Sequence, residues 1–277
     1  MKRDYTDKRC VVTGAGSGIG RAVAIDLAGR GALLALSDIN EEGLAETREL
    51  IGAADNRHRY DRLDVADRDG IERYAADVGA NWGAADFLFN IAGLSRLGEF
   101  ASTPASSFET VMNVNFYGTV DMCRAFLPQL VETKGAITNI SSIFGLIGFP
   151  GQAHYCASKF AVRGFSETLS IELKPKGVSV TCVHPGGVAT NIARSAKLDA
   201  LPPGLSSREK FDKNFDKAAR TTPESAARTI INGAAKGKRR VLVGPDGHAV
   251  SLIQRLFPST YQTFLASMRS GLVSDGS

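Results

Sequence analysis

Long hydrophobic runs are absent from this sequence, which has no uninterrupted apolar stretch of about 18 residues, so no membrane-spanning helix is expected. The chain begins MKRDYTDKRC, without the apolar segment of a secretory signal. Only four cysteines and four histidines occur, and none are spaced like the ligands of a metal ion. We therefore expect reduced thiols, no bound metal and a cytoplasmic location.

Neither sign of charge is in large excess, because the formal net charge is only +4. The densest basic run, KGKRR at 236–240, leads directly into the apolar residues VLVG. This pattern is typical of a solvated turn between a helix and a strand, and it does not favour a nucleic-acid site. With 43% hydrophobic and 22% charged residues, the composition is that of a globular protein.

Short apolar runs alternate with longer segments of helical period along most of the chain. The runs predict seven strands, at 9–14, 32–38, 59–65, 85–93, 135–142, 177–187 and 239–244. The segments between them predict helices at 17–29, 40–51, 67–80, 104–132, 153–173 and 222–235. Such alternation forms βαβ units with right-handed crossovers, which predicts a Rossmann-type, doubly wound parallel sheet with helices on both faces.

No internal repeat or change of composition divides the chain, so residues 1–277 are predicted to form a single domain. Residues 191–220 form a polar insertion on the side where ligands bind in such sheets, and we expect a lid over the substrate there.

Residues 248–270 form an apolar C-terminal extension, with Val250, Ile253, Leu256, Phe257, Phe264 and Met268 at roughly helical spacing. This extension could close the pocket, pack at a subunit interface or lie on a membrane.

A glycine-rich sequence, TGAGSGIG at 13–20, directly follows the first strand and opens the first helix. Gly14, Gly18 and Gly20 would allow a tight turn, close approach of a pyrophosphate to the backbone, and close packing of helix on strand. The second strand ends in Asp38, whose carboxylate would accept hydrogen bonds from ribose hydroxyls and repel a 2′-phosphate. Because no Arg or Lys stands beside Asp38, NAD is favoured over NADP. Asp38 could instead cap the next helix, although Asn40 is the better candidate for that cap.

Seven short motifs follow one another within residues 9–190. They are TGAGSGIG (13–20), DV (64–65), NIAG (90–93), NVNFYG (113–118), NISS (139–142), YCASK (155–159) and HPGGVAT (184–190). In this order and at strand ends, they make the sequence resemble the short-chain dehydrogenase/reductase family. One departure is Ile91, where the family more often has a second asparagine. We expect it to be tolerated, because the role of the segment rests on Asn90 and on the backbone of Ala92 and Gly93.

The resemblance implies which residues would bind the dinucleotide. Asp64 and Val65 would hold the adenine, Val188 would grip the nicotinamide carboxamide through its backbone, and Thr190 would lie near the diphosphate. Asn90 would line the adenosine ribose and stabilise the central strand. The implied cofactor contacts are Gly14, Ser17, Gly18, Ile19, Gly20, Asp38, Asp64, Val65, Asn90, Ala92, Gly93, Tyr155, Lys159, Pro185, Gly186, Val188 and Thr190.

Tyr155 and Lys159 lie four residues apart, hence on one face of the predicted helix. A tyrosine can serve as a base only if its pKa falls towards the working pH, and a nearby cation favours the phenolate. We predict that Lys159, together with a positive nicotinamide ring, lowers the pKa of Tyr155. By the same resemblance, the Ser142 hydroxyl would hydrogen bond the substrate oxygen, and Asn115 would hold a water that connects Lys159 to solvent.

These residues predict hydride transfer between NAD(H) and a secondary alcohol or ketone. A non-catalytic NAD(H)-binding sensor on the same fold is the alternative. His154 and His184 are expected to be structural, since adjacent helical residues such as His154 and Tyr155 point in different directions.

The substrate is predicted to have a hydrophobic body, such as a steroid-like, acyl-chain or other alicyclic one, and a small diol or diketone such as acetoin stays open as an alternative. The segment IFGLIGFPGQ (143–152) would form one apolar wall of its pocket, together with Leu94 and Ser95. The lid would add Ile192, Leu198, Leu201 and Leu205. The resemblance further implies that helix 104–132 and the helix carrying YCASK pair with their own copies, which would give a homodimer or homotetramer.

Overall fold

The computed structural model describes residues 3–52, 57–190, 192, 196–200, 207–210, 212–213 and 219–263. Its strands are β1 (Arg9–Thr13), β2 (Leu33–Asp38), β3 (Arg59–Arg62), β4 (Phe87–Asn90), β5 (Arg96–Leu97), β6 (Ala136–Ile140), β7 (Ser179–Pro185), β8 (Lys197–Leu198) and β9 (Arg240–Val243). Its α-helices of eight or more residues are α1 (Gly18–Gly29), α2 (Glu41–Ile51), α3 (Arg68–Asn81), α4 (Ala105–Met112), α5 (Gly118–Glu132), α6 (Ala153–Glu172), α7 (Pro223–Ala235) and α8 (Pro245–Leu256).

Seven of these strands form one parallel sheet in the order β3-β2-β1-β4-β6-β7-β9. The chain runs outward from β1 to β3, then returns to β4 and continues in the opposite direction. This reversal opens a crevice at the carboxyl ends of β1 and β4, where ligands bind in doubly wound sheets. The predicted Rossmann-type sheet of seven strands is confirmed.

The central strands are buried on both faces, which is why they appear in the sequence as continuous apolar runs. Adjacent residues of β1 serve opposite faces. Val12 packs in one core with Leu27 of α1 and Ile230 of α7, whereas Val11 packs in a second core with Phe126 of α5. Fully burying a side chain of this size contributes roughly 1.5–3 kcal/mol. The two cores fix the strands and therefore the loops at their carboxyl ends.

The predicted continuous helix over 104–132 is wrong in its middle. A π-helical turn, Asn113–Tyr117, separates α4 from α5. Turns of this kind insert an extra residue into a helix and frequently occur at functional sites.

Part of the predicted lid contacts the body of the protein through a second, two-stranded parallel sheet of β5 and β8. Arg96 of β5 forms a 3.1 Å ion pair with Asp199, whose side chain is 4% exposed. The Arg96 guanidinium also donates to the Ser107 hydroxyl at 2.9 Å. Leu201 and Leu205 of the predicted lid lie outside the described residues.

The C-terminal extension begins with α8. Val250 of α8 is buried against Leu146 and Ile147, and the Tyr261 hydroxyl accepts a hydrogen bond from the Gly148 N–H at 3.0 Å. Phe264 and Met268 lie outside the described residues. The described part of the extension therefore packs on the segment that follows Ser142.

Among the described helices, none is both long and apolar enough to cross a membrane. Within the same residues, no three His, Cys, Asp or Glu side chains are grouped so that they could hold a metal ion. The four cysteines are free and buried, and burial raises the pKa of each thiol.

Candidate active site

The turn between β1 and α1 requires glycine at defined positions. Gly14 and Gly18 have φ values of 69° and 52°, in the left-handed region. A Cβ on Gly20 would lie 1.9 Å from the Gly14 carbonyl oxygen, and a Cβ on Gly14 would lie 2.8 Å from the backbone of Ala92. A Cβ on Gly18 would lie 3.2 Å from Thr190. Side chains at these positions would collide with the protein, so the turn is tightly packed. This turn, the glycine cradle, brings the amino end of α1, a natural phosphate-binding feature, to the crevice.

Thr13, the last residue of β1, joins the ends of two strands. Its hydroxyl accepts hydrogen bonds from the backbone N–H groups of Ile91 and Ala92, at 3.0 Å and 3.1 Å. The side chain of Ile91 packs against the core. Sequence reasoning missed Thr13, although its position at the start of the glycine-rich turn was a usable signal.

Asp38 lies beside the glycine-rich turn at the end of β2. One carboxylate oxygen accepts the Gly16 N–H at 2.8 Å and the other accepts the Asn40 N–H at 2.9 Å. Asn40, not Asp38, caps α2, because its side chain accepts the Gly43 N–H at 3.1 Å. Asp38 is thus held at the crevice with its position fixed by the backbone.

Arg21 is a cation near the same turn, and its guanidinium is already bound within the protein. It forms a 2.7 Å ion pair with Glu46 and donates to the Thr47 hydroxyl at 3.0 Å. It also donates to the carbonyl groups of Gly16 and Gly43. This arrangement joins α1 to α2 and holds the loop that carries Gly16.

Asp64 and Val65 lie in the loop after β3. The Asp64 carboxylate accepts the Ala66 N–H at 2.9 Å, which fixes the turn. Val65 is buried, and a Cβ on Gly118 would lie 2.7 Å from its carbonyl oxygen. The loop is therefore packed directly against the first residue of α5.

The Asn90 side chain points into the protein. Its amide donates to Asn139 Oδ1 at 2.8 Å and to Cys123 Sγ at 3.2 Å. This contact joins β4 to β6 and agrees with a strand-stabilising role. A ribose contact at this position stays a prediction, and it would have to use the Asn90 backbone.

Ser142, Tyr155 and Lys159 come together at the carboxyl end of β6. The Ser142 hydroxyl is close enough to the Tyr155 phenol to lower its pKa, and it accepts the Phe144 N–H at 3.1 Å. Lys159 Nζ lies 5.5 Å from the centroid of the Tyr155 ring and donates to the Ile140 carbonyl at 3.0 Å. The three predicted side chains therefore form one group.

The ionisation of this group differs from the sequence-based prediction. Burial raises the pKa of Tyr155 to about 12, and the neighbouring Ser142 hydroxyl acts in the opposite direction with a smaller effect. Burial also lowers the pKa of Lys159 to about 8, which weakens the cation that was expected to stabilise a phenolate. The predicted lowering of the Tyr155 pKa is therefore not a property of the protein alone. It depends on additional positive charge at the site.

Asn115 lies in the π-helical turn and is fully buried. Its Oδ1 accepts the Leu94 N–H at 2.8 Å, and its Nδ2 donates to the Leu94 carbonyl and the Ser158 hydroxyl, each at 3.0 Å. A Cβ on Gly93 would lie 3.1 Å from Asn115 Oδ1 and 3.4 Å from Lys159 Nζ. Asn115 therefore holds the loop after β4 against α6, next to Lys159, and a surface position is excluded.

The loop after β7 begins at Gly186 and contains a contact that sequence reasoning missed. The Gly187 N–H donates to the Asp246 carboxylate at 2.6 Å. A Cβ on Gly186 would lie 2.3 Å from the same carboxylate. Asp246 is in the first turn of α8, 59 residues along the chain, so no local pattern links it to the loop. It fixes the segment that leads to Val188.

Two histidines lie close to the group, and both are buried. His184 Nδ1 is 3.1 Å from the Ser142 carbonyl oxygen, and burial lowers the pKa of His184 to about 4. Burial also lowers the pKa of His154, whose ring lies beside Phe108 with centroids 6.4 Å apart. Both rings are neutral near pH 7, and His184 helps to position the Ser142 backbone.

The predicted apolar wall is divided between two surroundings. The Phe144 ring meets the Tyr155 ring edge-on at 6.2 Å and stacks on Phe149 at 4.9 Å. Leu146 and Ile147 are instead buried against α8. The aromatic pair is thus the part of the wall that adjoins the phenol.

Comparisons with known proteins agree with this geometry. A family model described as short chain dehydrogenase matches residues 8–200. SadH of Mycobacterium tuberculosis, which is named as an oxidoreductase, is 43% identical over 266 residues, covering 95% of each chain. The mouse 3-ketodihydrosphingosine reductase is 32% identical over 252 residues, covering 87% of this chain and 72% of that protein.

A solved structure extends the likeness to three dimensions. The crystal structure of a short-chain dehydrogenase/reductase from Burkholderia phymatum in complex with NAD has a TM-score of 0.83 and 28% identity. The match covers 92% of this chain and 95% of that one. The chain belongs to the short-chain dehydrogenase/reductase family of oxidoreductases, whose members use nicotinamide cofactors.

Proposed function

We propose that this protein transfers a hydride between NAD(H) and a secondary alcohol or ketone with a hydrophobic body. The proposal rests on one observation: Ser142, Tyr155 and Lys159 lie together at the edge of the sheet that carries the glycine cradle, and the buried Asn115 lies next to Lys159. Such a group can manage the proton of a hydroxyl, while a nicotinamide accepts or supplies the hydride.

The glycine cradle suits a dinucleotide. The close contacts of Gly14 with Ala92 and of Gly18 with Thr190 keep the turn tight at the amino end of α1, where backbone N–H groups would bind a diphosphate. Asp38 would accept hydrogen bonds from the adenosine ribose. Two cations lie near this site: Arg21 is engaged with Glu46 and with backbone carbonyls, and Arg62, which lies beside Asp38 in the register of β2 and β3, pairs with Glu41 at 3.9 Å. NAD is favoured over NADP because both cations have acidic partners and Asp38 would repel a 2′-phosphate.

The remaining cofactor contacts follow from where the loops lie. Asp64 and Val65 would flank the adenine, and the backbones of Ala92 and Gly93 would lie along the ribose. The loop fixed by Asp246 would bring Pro185, Gly186 and Val188 over the nicotinamide. Ser17, Ile19 and Gly20, at the amino end of α1, would complete the diphosphate site.

In oxidation, Tyr155 would take the proton of the substrate hydroxyl, and in reduction it would return that proton to the carbonyl oxygen. The Ser142 hydroxyl would hydrogen bond the same oxygen and stabilise developing charge. Lys159 would bind the nicotinamide ribose and favour the phenolate. Asn115 would hold the loop that borders Lys159 and support a water path from its amine to solvent.

The aromatic pair of Phe144 and Phe149 supports a hydrophobic substrate, since it places apolar surface next to the Tyr155 ring. The mouse relative is named as a reductase of a keto compound, which fits a ketone as one substrate form. Phe149→Ala should lower kcat/KM for bulky apolar ketones at least about tenfold and leave a small ketone nearly unaffected. Equal losses on both would argue against this wall.

A panel of secondary alcohols and ketones, followed by NADH absorbance, tests the proposed reaction. Turnover with NAD(H) and a clear preference over NADP(H) are expected, and Asp38→Ala should erode that preference. A preference of the unmodified enzyme for NADP(H) would contradict the role proposed for Asp38 in selecting NAD(H). NADH binding without turnover of any substrate in the panel would remove the proposed reaction.

We also propose a homodimer or homotetramer. Large apolar side chains are exposed at the π-helical turn and on α6, namely Tyr117 (48%) and Phe160 (41%). Sedimentation velocity of the unmodified protein should show an oligomer. The double substitution Tyr117→Glu with Phe160→Glu should dissociate it.

A further inference from the structure

A cleft at the edge of the sheet collects positive charge. It lies beside β9, between α7 and α8, and has a volume of about 510 Å³. Its cationic lining residues are Lys236, Lys238, Arg240 and Arg255. Among the described residues that line it, none is acidic.

The positive charge of the cleft comes from two parts of the chain that are separate in sequence. Lys236, Lys238 and Arg240 belong to the exposed basic run before β9, while Arg255 comes from α8. The Arg240 guanidinium donates to Ser251 of α8 at 3.1 Å, which joins the two. The basic run is therefore more than an isolated solvated turn.

Neighbouring charges add to this positive field. Burial and the positive charge of Arg163 lower the pKa of Arg240, and Arg255 acts in the same direction. Glu167 opposes them, but it is paired with Arg163 at 2.9 Å. The cleft thus has an excess of cationic groups.

An exposed apolar stripe borders the cleft. At about 100° per residue, His248, Ser251 and Arg255 share the face of α8 that lines the cleft. Leu252 and Leu256 lie about 40° and 80° around the helix from His248, and they are 58% and 61% exposed. On this face α8 supplies one cation, Arg255, and the basic run before β9 supplies the others. Cations next to an apolar helical stripe are the pattern of a surface that lies at a membrane.

We propose that Lys236, Lys238, Arg240, Arg255, Leu252 and Leu256 form a surface that docks the protein on an anionic lipid bilayer. The cations would attract acidic headgroups, and the two leucines would enter the boundary between headgroups and acyl chains. We call this set the basic–apolar surface.

Two other possible occupants of the basic–apolar surface match its positive charge less well. A second copy related by a two-fold axis would bring two sets of cations together, and like charges repel. The side chains of residues 264–277 include one arginine, Arg269, and one aspartate, Asp275, so they bring no excess of acidic side chains to the cleft. A bilayer containing acidic lipids supplies both the negative charge and the apolar phase.

Docking would place the candidate active site close to the lipid. The opposite side of α8 carries Val250, which packs on Leu146 and Ile147, and Asp246, which binds the loop after β7. The proposal does not rest on the proposed function, because lipid binding is measured without substrate or cofactor.

Vesicle flotation of the full chain tests the proposal. The probes are vesicles of phosphatidylcholine alone and vesicles with about 30% phosphatidylserine. Binding is expected to the anionic vesicles only, and to weaken between about 0.05 M and about 0.5 M salt. Lys236→Gln with Lys238→Gln should weaken partitioning about 25-fold, at about fivefold for each lysine near the surface.

Matched variants separate the two contributions. Arg73→Gln with Arg124→Gln removes the same amount of charge from exposed positions on α3 and α5, and it should leave partitioning within about twofold of the unmodified protein. Leu252→Ser with Leu256→Ser should weaken partitioning at least about tenfold, while keeping the circular dichroism spectrum.

Equal binding to neutral vesicles, or an equal loss in the Arg73 and Arg124 control, would overturn the proposal. The proposal would also be overturned if the protein bound no vesicles and the Leu252 and Leu256 substitutions dissociated an oligomer. That result would assign the basic–apolar surface to a second copy of the chain.

Discussion

Replacing Lys159 with methionine tests how burial controls charge at the candidate active site. Lys159 is 3% exposed, and burial lowers its pKa from 10.5 to about 8. A lysine whose pKa is lower in the folded chain than in the unfolded chain destabilises the fold while it is charged. The cost begins to fall as the pH rises through the folded-state pKa and disappears above the unfolded-state pKa.

The magnitude follows from the two pKa values. Their difference corresponds to roughly 3 kcal/mol, at about 1.4 kcal/mol per unit. Below about pH 8 both states bind the proton, so stability does not depend on pH through this group. Between about pH 8 and pH 10.5 the unfolded chain binds more protons, so the free energy of unfolding rises with pH. At about pH 9.5 the gain should reach about 2 kcal/mol, and it should be absent in Lys159→Met.

Urea denaturation of both proteins from about pH 6.5 to about pH 9.5 measures the effect. Loss of the hydrogen bond to the Ile140 carbonyl shifts the two curves apart by a constant, so only the change with pH matters. The difference in the free energy of unfolding should grow by about 2 kcal/mol in favour of the unmodified protein. A difference that stays constant within about 0.5 kcal/mol would refute a depressed Lys159 pKa.

Three further substitutions test the supports of the site. Gly20→Ala would place a Cβ 1.9 Å from the Gly14 carbonyl oxygen, so it should weaken NADH binding at least about tenfold in a fluorescence titration. Asn115→Ala removes the partner of the Leu94 N–H and C=O groups and one of the hydrogen bonds of the Ser158 hydroxyl, so it should cost roughly 2–4 kcal/mol in urea denaturation. Asn113→Ala, at an exposed neighbour, should cost less than about 0.5 kcal/mol. Asp246→Asn removes the charge that holds the loop after β7, so the KM for NADH should rise about tenfold in steady-state kinetics.

Most of the fold could be predicted because each buried parallel strand is a short apolar run followed by a helical period. The glycine-rich turn could be located as well, since the steric demands at Gly14 and Gly20 leave glycine as the residue that fits. The cap of α2 by Asn40 was also predictable, because it depends on residues three apart. These features are local.

Other features depend on contacts across the chain. The π-helical turn exists where the Asn115 amide reaches the Leu94 backbone, 21 residues away, and the sequence signalled only that asparagine is unfavourable inside a helix. The pairing of β5 with β8 joins Arg96 to Lys197, and no short-range pattern announces it. Asp246 was missed for the same reason.

The Tyr155 pKa could not be predicted from the four-residue spacing to Lys159. Spacing indicates that the two side chains are neighbours, but the pKa also depends on burial, which only the packed structure defines. Burial acts on both residues and raises one pKa while lowering the other. The division of the segment after Ser142, with Phe144 beside the phenol and Leu146 against α8, is likewise a result of packing.

The kinetics of Tyr155→Phe test the central claim most directly, because this change removes one hydroxyl and keeps the ring. We expect kcat/KM for the best alcohol or ketone to fall by about 10²–10⁴-fold, with the NADH dissociation constant within about twofold of the unmodified enzyme. Tyr117→Phe, at an exposed tyrosine, should keep full activity. A Tyr155→Phe enzyme that retains kcat/KM within about threefold would contradict the assignment of Tyr155 as the proton-transfer residue.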